Sequence, residues 1–147
     1  MGQLNIAEGS KIYADTAVII YTVEANEVYW ELLQPLWLKF QAGKIEIVTS
    51  ELTLMEGLVR PLKNNDATLV GDYETLLLSS EIQSIPISQA ILKEAARLRG
   101  VTSLKTPDAI HVATATISNC TLFLTNDTRI RNILDLSIIN LTEVLAS

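Results

Sequence analysis

The stretch "LKTPDAIHVATA", residues 104–115, combines a strong helix signal with an acid in an unexpected place. Thr106 is predicted to cap the helix, Pro107 suits its first position, and Asp108 favours the helix dipole. The residues that follow are apolar almost all the way round, which is typical of a helix inside a domain. Asp108 nevertheless shares a helical face with His111. Because an unpaired buried carboxylate is costly, Asp108 is either a capping charge or a ligand.

On both sides of this helix, short apolar runs alternate with longer helical patterns. The predicted strands cover 11–15, 45–48, 82–87, 121–125 and 137–140. The predicted helices cover 28–43 (kinked at Pro35), 51–62, 67–80, 89–99 (ended by Gly100), 106–117 and 128–134, with Ser50 and Ser88 as caps. This alternation predicts an α/β fold, in which helices flank both faces of a central, mostly parallel sheet. In such sheets the site lies beyond the carboxyl ends of the strands.

Composition bounds the class of protein. The 147 residues fit one domain spanning 1–147, with about residues 1–10 as a candidate flexible extension. No apolar run approaches the roughly 20 residues of a membrane span, so we expect no membrane association. The opening residues show no secretory pattern, and the lone Cys120 favours a reducing cytoplasm. The net charge of −6 argues against nucleic-acid binding, but bound divalent cations would reverse the local sign of an acidic site.

Four acids stand where such a site would form. Asp15 ends the first strand, Asp127 follows the strand "TLFLT", Asp108 opens the buried helix, and Glu56 lies on the helix after the second strand. Taken singly, each has an ordinary explanation as a cap, a turn residue or, for Glu56, an ion pair with Arg60. Taken together, they would converge in one cleft, where unneutralised carboxylates repel one another. Oxygen-rich clusters of this kind bind Mg²⁺ or Mn²⁺.

Neutral and basic side chains near these acids extend the predicted site. Thr16 follows Asp15, while Thr125 and Asn126 precede Asp127, so they could supply supporting oxygens. Basic residues close in sequence are candidates for contacts with backbone phosphates, and solvated surface charge is the ordinary alternative for each. They are Arg60, Lys105, Arg129 and Arg131.

The segments "YADTAVII", "SELTLMEGLVRP", "LKTPDAIHVATA" and "LTNDTRI", in this order and spacing, resemble the PIN-domain ribonucleases. Among these, the chain is most similar in size to the VapC-type toxins of VapBC toxin–antitoxin pairs. The resemblance implies a PIN-like three-layer α/β/α fold and a metal-dependent nuclease centre formed by Asp15, Glu56, Asp108 and Asp127. It also implies Mg²⁺ or Mn²⁺ as cofactor, an RNA substrate, an antitoxin partner and a homodimer.

The implied reaction is hydrolysis of an RNA phosphodiester bond by in-line attack of an activated water, leaving a 5′-phosphate and a 3′-hydroxyl. Asp15, Asp108 and Asp127 are expected to contact the metal, and Glu56 to contact it or orient the water. This sequence continues "TRIRN" after "TND", where many members of the family have an aromatic residue.

Other functions and other site residues are open to the same sequence. A PIN-like module that binds RNA or protein without catalysis would share the fold. A receiver-type signalling domain fits poorly, because "IEIVTS" offers no phospho-accepting Asp and no Lys follows "TLFLT". His111 is the only histidine, and a single imidazole cannot build the usual histidine metal set. His111 could touch substrate or a metal, but we expect a packed histidine that is hydrogen-bonded to a neighbour beside the site.

Overall fold

The computed structural model describes residues 2–133 and 135–147. Five strands form one sheet with the order β3-β2-β1-β4-β5, and every pairing between neighbours is parallel. The strands are β1 (Lys11–Ala14), β2 (Glu46–Ser50), β3 (Gln83–Ile85), β4 (Leu122–Thr125) and β5 (Ser137–Asn140). The helices are α1 (Thr16–Val23), α2 (Trp30–Gln41), α3 (Glu51–Lys63), α4 (Ala67–Leu78), α5 (Gln89–Val101), α6 (Thr106–Ile117) and α7 (Leu141–Ala146).

Alternating side chains of the strands divide the core into two layers. Ile12 and Ala14 of β1 face a cluster built with α1, α2 and α4, whereas Tyr13 between them faces a cluster built with α5 and α6. Phe123 and Leu124 of β4 separate in the same way. Because both faces of the sheet are covered, the central strands β1 and β4 are mostly apolar. The predicted three-layer α/β/α fold with a parallel sheet is confirmed.

The order of the strands places a switch point between β1 and β4. From β1 the chain continues outward through β2 to β3, and it later returns to add β4 and β5 on the other side of β1. The connections therefore leave β1 and β4 in opposite directions, and a crevice opens beyond their carboxyl ends. Asp15 directly follows β1, and Asn126 and Asp127 directly follow β4.

Several local predictions need correction. Helix α1 was not predicted, because "TAVIIYTV" is rich in β-branched residues; Asp15 caps it by accepting a hydrogen bond from the Thr16 amide. Thr106 does not cap α6, since its hydroxyl accepts a hydrogen bond from Arg99 and Lys105 occupies the cap position. Residues 128–133 contain a turn rather than the predicted helix, and residue 134 lies outside the described residues.

Other helix boundaries shift without changing the architecture. Helix α2 continues through Pro35 without interruption, and α5 runs one residue beyond Gly100. Ser50 and Ser88 cap α3 and α5 as predicted, each accepting a hydrogen bond from a backbone amide in the first turn. None of the described helices is long and apolar enough to cross a membrane.

Candidate active site

A cleft of about 410 Å³ opens at the switch point between β1 and β4. All four acids singled out in the sequence line it. The remaining lining side chains come from α1, α6 and the segment after β4. The complete lining is Asp15, Thr16, Ala17, Tyr21, Glu56, Asp108, His111, Asn126, Asp127 and Thr128. Residues that are far apart along the chain thus meet at the edge of the sheet where the alternating pattern predicts a site.

On one side of the cleft, buried and half-buried donors hold Asp15 and Glu56. Asp15 Oδ1 accepts a hydrogen bond from the Thr16 amide at 2.9 Å, and Oδ2 accepts one from the Thr125 hydroxyl at 2.6 Å. Glu56 Oε1 accepts from Thr16 Oγ1 at 2.6 Å and lies 2.7 Å from His111 Nε2. Glu56 therefore pairs across the cleft and not with Arg60 on its own helix.

On the other side, Arg129 bridges Asp127 and Asp108. Its Nε and Nη2 donate to the two carboxylate oxygens of Asp127 at 3.0 and 2.7 Å, a bidentate pair. The same Nη2 lies 3.6 Å from Asp108 Oδ2. The Arg129 side chain is 63% exposed, so this bridge stands at the open edge of the cleft. The backbone fixes Asp127 as well, since its amide donates to the buried Thr125 hydroxyl at 3.0 Å.

The charges of the cleft perturb one another in opposite directions. Burial and the negative charge of Asp127 raise the pKa of Asp108, against a smaller opposing effect of Arg129. The hydrogen bond from Arg129 lowers the pKa of Asp127. Burial alone would raise the pKa of Glu56, but hydrogen bonds from His111 and Thr16 outweigh it and lower that pKa. Asp108 is thus the carboxylate of the cleft whose ionised form is disfavoured, first by burial and then by the charge of Asp127.

The other predicted residues are distributed unevenly around the cleft. Thr16 lines it and Thr125 supports it from below, as their hydrogen bonds to the acids show. Asn126 lines it too, but its amide donates to the hydroxyls of Tyr21 and Tyr29 at 2.8 and 3.2 Å. Its role in the structure is therefore to join β4 to the neighbouring helices.

The four basic residues predicted as phosphate contacts differ in their distance from the cleft. None of the four is in the described lining of the cleft, but Arg129 contacts two of its acids, Asp127 and Asp108. Arg60 and Lys105 are exposed. Arg60 instead lies near Tyr73, whose pKa its charge lowers against stronger opposing effects. Arg131 reaches Glu143 at 3.7 Å and the Thr128 carbonyl at 2.6 Å.

Sequence reasoning missed two tyrosines of the site, whereas His111 is packed and hydrogen-bonded beside the site as predicted. Tyr21 lines the cleft from α1, the helix that was not predicted. Tyr13 is fully buried beneath the cleft, with its hydroxyl 2.6 Å from His111 Nδ1. The available signal was the polar tip of Tyr13 inside an apolar strand, since a buried phenol hydroxyl usually has a partner.

The donor chemistry of the cleft suits a hard divalent cation. Four carboxylates and the hydroxyl of Thr16 supply oxygen ligands, and His111 is the one nitrogen donor in the described lining. Burial and, after it, the charge of Asp127 raise the pKa of Asp108, an effect that a bound cation would oppose. Within residues 2–133 and 135–147, no three His, Cys, Asp or Glu side chains are already arranged as a metal site. Arg129 occupies the position that a cation would need at Asp127.

The family model described as "PIN domain" matches residues 12–135, a span that contains all four acids of the cleft. This chain belongs to the PIN-domain family. Proteins of this family are generally nucleases, so the match supports a nuclease-type site in the cleft. No curated protein shows a significant match over the sequence of this PIN domain.

Solved structures share its fold at low sequence identity. VapBC2 from Rickettsia felis, bound to a DNA fragment from its promoter, is 18% identical, with a TM-score of 0.68 over 88% of this chain and 98% of that chain. A toxin–antitoxin complex from Klebsiella pneumoniae is 24% identical, with a TM-score of 0.64 over 88% and 97%. VapC20 from Mycobacterium tuberculosis, a toxin that cleaves the sarcin–ricin loop, is 16% identical, with a TM-score of 0.62 over 76% and 86%.

Proposed function

We propose that this PIN domain is a Mg²⁺- or Mn²⁺-dependent endoribonuclease. The observation that carries the proposal is the meeting of Asp15, Glu56, Asp108 and Asp127 in one cleft at the switch point of the sheet. Carboxylates that share a cleft disfavour one another's charge, as the charge of Asp127 does for Asp108, unless a cation neutralises them. The chain belongs to the PIN-domain family, whose members are generally nucleases, and this supports phosphodiester hydrolysis as the reaction of the cleft.

The residues of the cleft would divide the work of hydrolysis. Asp15, Asp108 and Asp127 would hold the cation directly or through water, and Glu56 would hold it or orient the attacking water. A bound Mg²⁺ or Mn²⁺ would lower the pKa of a water molecule and offset charge on the phosphate. The water oxygen bonds to phosphorus, the P–O3′ bond breaks, and the 3′ oxygen takes a proton. The products are a 5′-phosphate and a 3′-hydroxyl.

Cleavage of a single-stranded RNA by the purified chain tests this proposal. We expect cleavage with Mn²⁺ or Mg²⁺ and none in EDTA. Asp108→Asn should lower the rate by more than about 100-fold, because even the loss of an outer partner of a metal ligand costs about 10- to 100-fold. Asp72→Asn, at an exposed acid on α4, is the matched control and should cleave normally. Equal cleavage with and without EDTA would rule out the metal-dependent reaction.

One observation favours a second candidate, a PIN domain that binds RNA or protein without catalysis. Arg129 engages both carboxylate oxygens of Asp127, so the cleft is partly neutralised by the chain itself. This alternative predicts RNA binding that is independent of metal, with no turnover even at high Mn²⁺ concentration. Measuring binding and cleavage on the same RNA separates the two functions.

The shared fold supports a toxin role for this nuclease. Structures with the same fold come from toxin–antitoxin complexes, so we propose that the chain is the toxin of such a pair, acting as a homodimer in the cytoplasm. Met55, Val59 and Leu62 leave an apolar stripe exposed on α3, which suits a protein partner. Expression should arrest growth, and the product of a neighbouring gene should relieve the arrest. Light scattering of the purified chain tests the dimer.

A further inference from the structure

A buried chain of hydrogen bonds connects β1 to the acid on α3. Tyr13 is fully buried, and its ring stacks on Phe123 with centroids 4.9 Å apart. The Tyr13 hydroxyl lies 2.6 Å from Nδ1 of His111, which is itself only 2% exposed. The opposite nitrogen of that ring, Nε2, lies 2.7 Å from Glu56 Oε1. The imidazole therefore joins a rigid position in the core to a carboxylate of the cleft.

The neighbours of each ring nitrogen decide which one carries hydrogen. Nε2 lies 2.7 Å from Glu56 Oε1, 3.2 Å from Thr16 Oγ1 and 3.7 Å from Asp15 Oδ1. Ionised carboxylates can only accept, and the Thr16 hydroxyl already donates its hydrogen to Glu56 Oε1. Nε2 must therefore carry a hydrogen and donate it to Glu56. In the neutral ring, Nδ1 is then an acceptor, and the Tyr13 hydroxyl donates to it.

The two donors on Glu56 fall on the same oxygen. Oε1 accepts from His111 Nε2 and from Thr16 Oγ1, at 2.7 and 2.6 Å. Two bonds from groups on different elements, α6 and α1, fix the position of this oxygen. This arrangement commits Oε1 to the protein and leaves Oε2 as the oxygen that can serve a ligand in the cleft.

We infer that Tyr13 and His111 are positioning residues for Glu56: the phenol holds the imidazole, and the imidazole holds the carboxylate in one orientation at the cleft. The catalytic consequence rests on the proposed function, whereas the position of Glu56 does not. Outer partners that orient a ligand commonly affect metal affinity by about 10- to 100-fold. Neither residue needs to touch the substrate to have this effect.

Nitrogen NMR of the ring tests the geometry directly, because His111 is the only histidine in the chain. The spectrum is recorded on metal-free protein at a pH where the ring is neutral. The expected result is one hydrogen on Nε2 and none on Nδ1. A neutral ring with its hydrogen on Nδ1 would overturn the inference, since it could not donate to Glu56.

Removal of one buried hydroxyl tests the functional consequence. Tyr13→Phe should weaken Mn²⁺ binding, measured by calorimetry, by about ten-fold and lower kcat for RNA with little change in KM. Tyr73→Phe is the matched control, because Tyr73 is also buried and donates to a carboxylate, that of Glu24, away from the cleft. It should leave Mn²⁺ binding unchanged. Equal Mn²⁺ affinity in the two variants would overturn the positioning role.

A pair of substitutions at His111 separates positioning from folding. His111→Gln keeps an N–H group that can reach Glu56, whereas His111→Ala removes it. We expect His111→Gln to retain clearly tighter Mn²⁺ binding than His111→Ala when both melt cooperatively. Equal loss in two folded variants would contradict the inference. If the unaltered chain bound no Mn²⁺, the proposed metal-dependent function would fail. The NMR result would still test whether His111 donates to Glu56, because it does not depend on metal binding.

Discussion

The two sides of the cleft hold their acids by different means. Asp15 and Glu56 are bound by the buried side chains of Thr125 and His111 and by the half-buried Thr16. Asp108 and Asp127 are instead bridged by a single guanidinium, that of Arg129, which is largely in solvent. Buried donors that lose their partner carry a large penalty, whereas an exposed ion pair contributes little. Donors packed in the fold thus hold the first side in place. On the second side, a divalent cation could replace the exposed Arg129 guanidinium.

The largest effect on stability is expected from the first side. Thr125→Val removes a buried hydroxyl that donates to Asp15 and accepts from the Asp127 amide, while nearly keeping the shape of the side chain. We expect the free energy of unfolding to fall by about 1–3 kcal/mol, because a buried carboxylate oxygen and an amide lose a partner. Urea denaturation measures the change. Thr121→Val, at an exposed position just before the same strand, should change it by less than about 0.5 kcal/mol.

The pH dependence of stability tests the same side through its histidine. Burial lowers the pKa of His111, but the hydrogen bond to Glu56 and the charge of Asp15 outweigh burial and hold it above 6.5. A raised pKa in the folded state means that the stabilisation is complete below pH 6.5 and is lost as pH rises through the folded value.

Melting temperatures measured from pH 6.5 upward test this loss. The range ends at about pH 8.5, because ionisation of a free thiol would add a second pH dependence above it. The Tm of the unaltered chain should fall across this range. His111→Gln has no imidazole, so its Tm should vary less with pH. A parallel decline in both proteins would assign the pH dependence to another group.

Features set by local sequence pattern were predictable, whereas features set by tertiary packing were not. The apolar strands and the acids at their ends were predictable, because parallel strands need both faces buried and their carboxyl ends share one edge. Helix α1 was not, because the cap by Asp15 and packing in the core outweigh the weak helix preference of "TAVIIYTV". The predicted cap by Thr106 failed for a related reason, since Arg99 engages that hydroxyl.

The residues that form the cleft were easier to predict than the pairs of side chains that contact each other in it. Glu56 and Arg60 have the spacing of a helical ion pair, yet Glu56 turns to His111 and Thr16 from other elements. The partner of Tyr13 lies 98 positions away along the chain. Such pairs depend on how α1, α3 and α6 pack on the sheet, which local pattern does not specify. The catalytic roles of the four acids remain predictions.

The smallest effect is expected from the second side. Arg129→Gln removes the charge that competes for Asp127 and Asp108, so Mn²⁺ should bind about two- to five-fold more tightly, the range typical of an exposed ion pair. The Tm of the metal-free protein should change little, because the guanidinium is mostly solvated. Calorimetric titration with Mn²⁺ measures the affinity.

Arg97→Gln provides a control that removes another bidentate arginine–carboxylate pair. Arg97 makes a bidentate pair with Glu94, both contacts being 2.7 Å, on the exposed face of α5 and away from the cleft. Its removal should leave the Mn²⁺ affinity unchanged. Weaker Mn²⁺ binding in Arg129→Gln would mean that the guanidinium orients Asp127 as a ligand and does not compete with the cation. The two sides of the cleft would then both be organised for the metal, and only the burial of their donors would distinguish them.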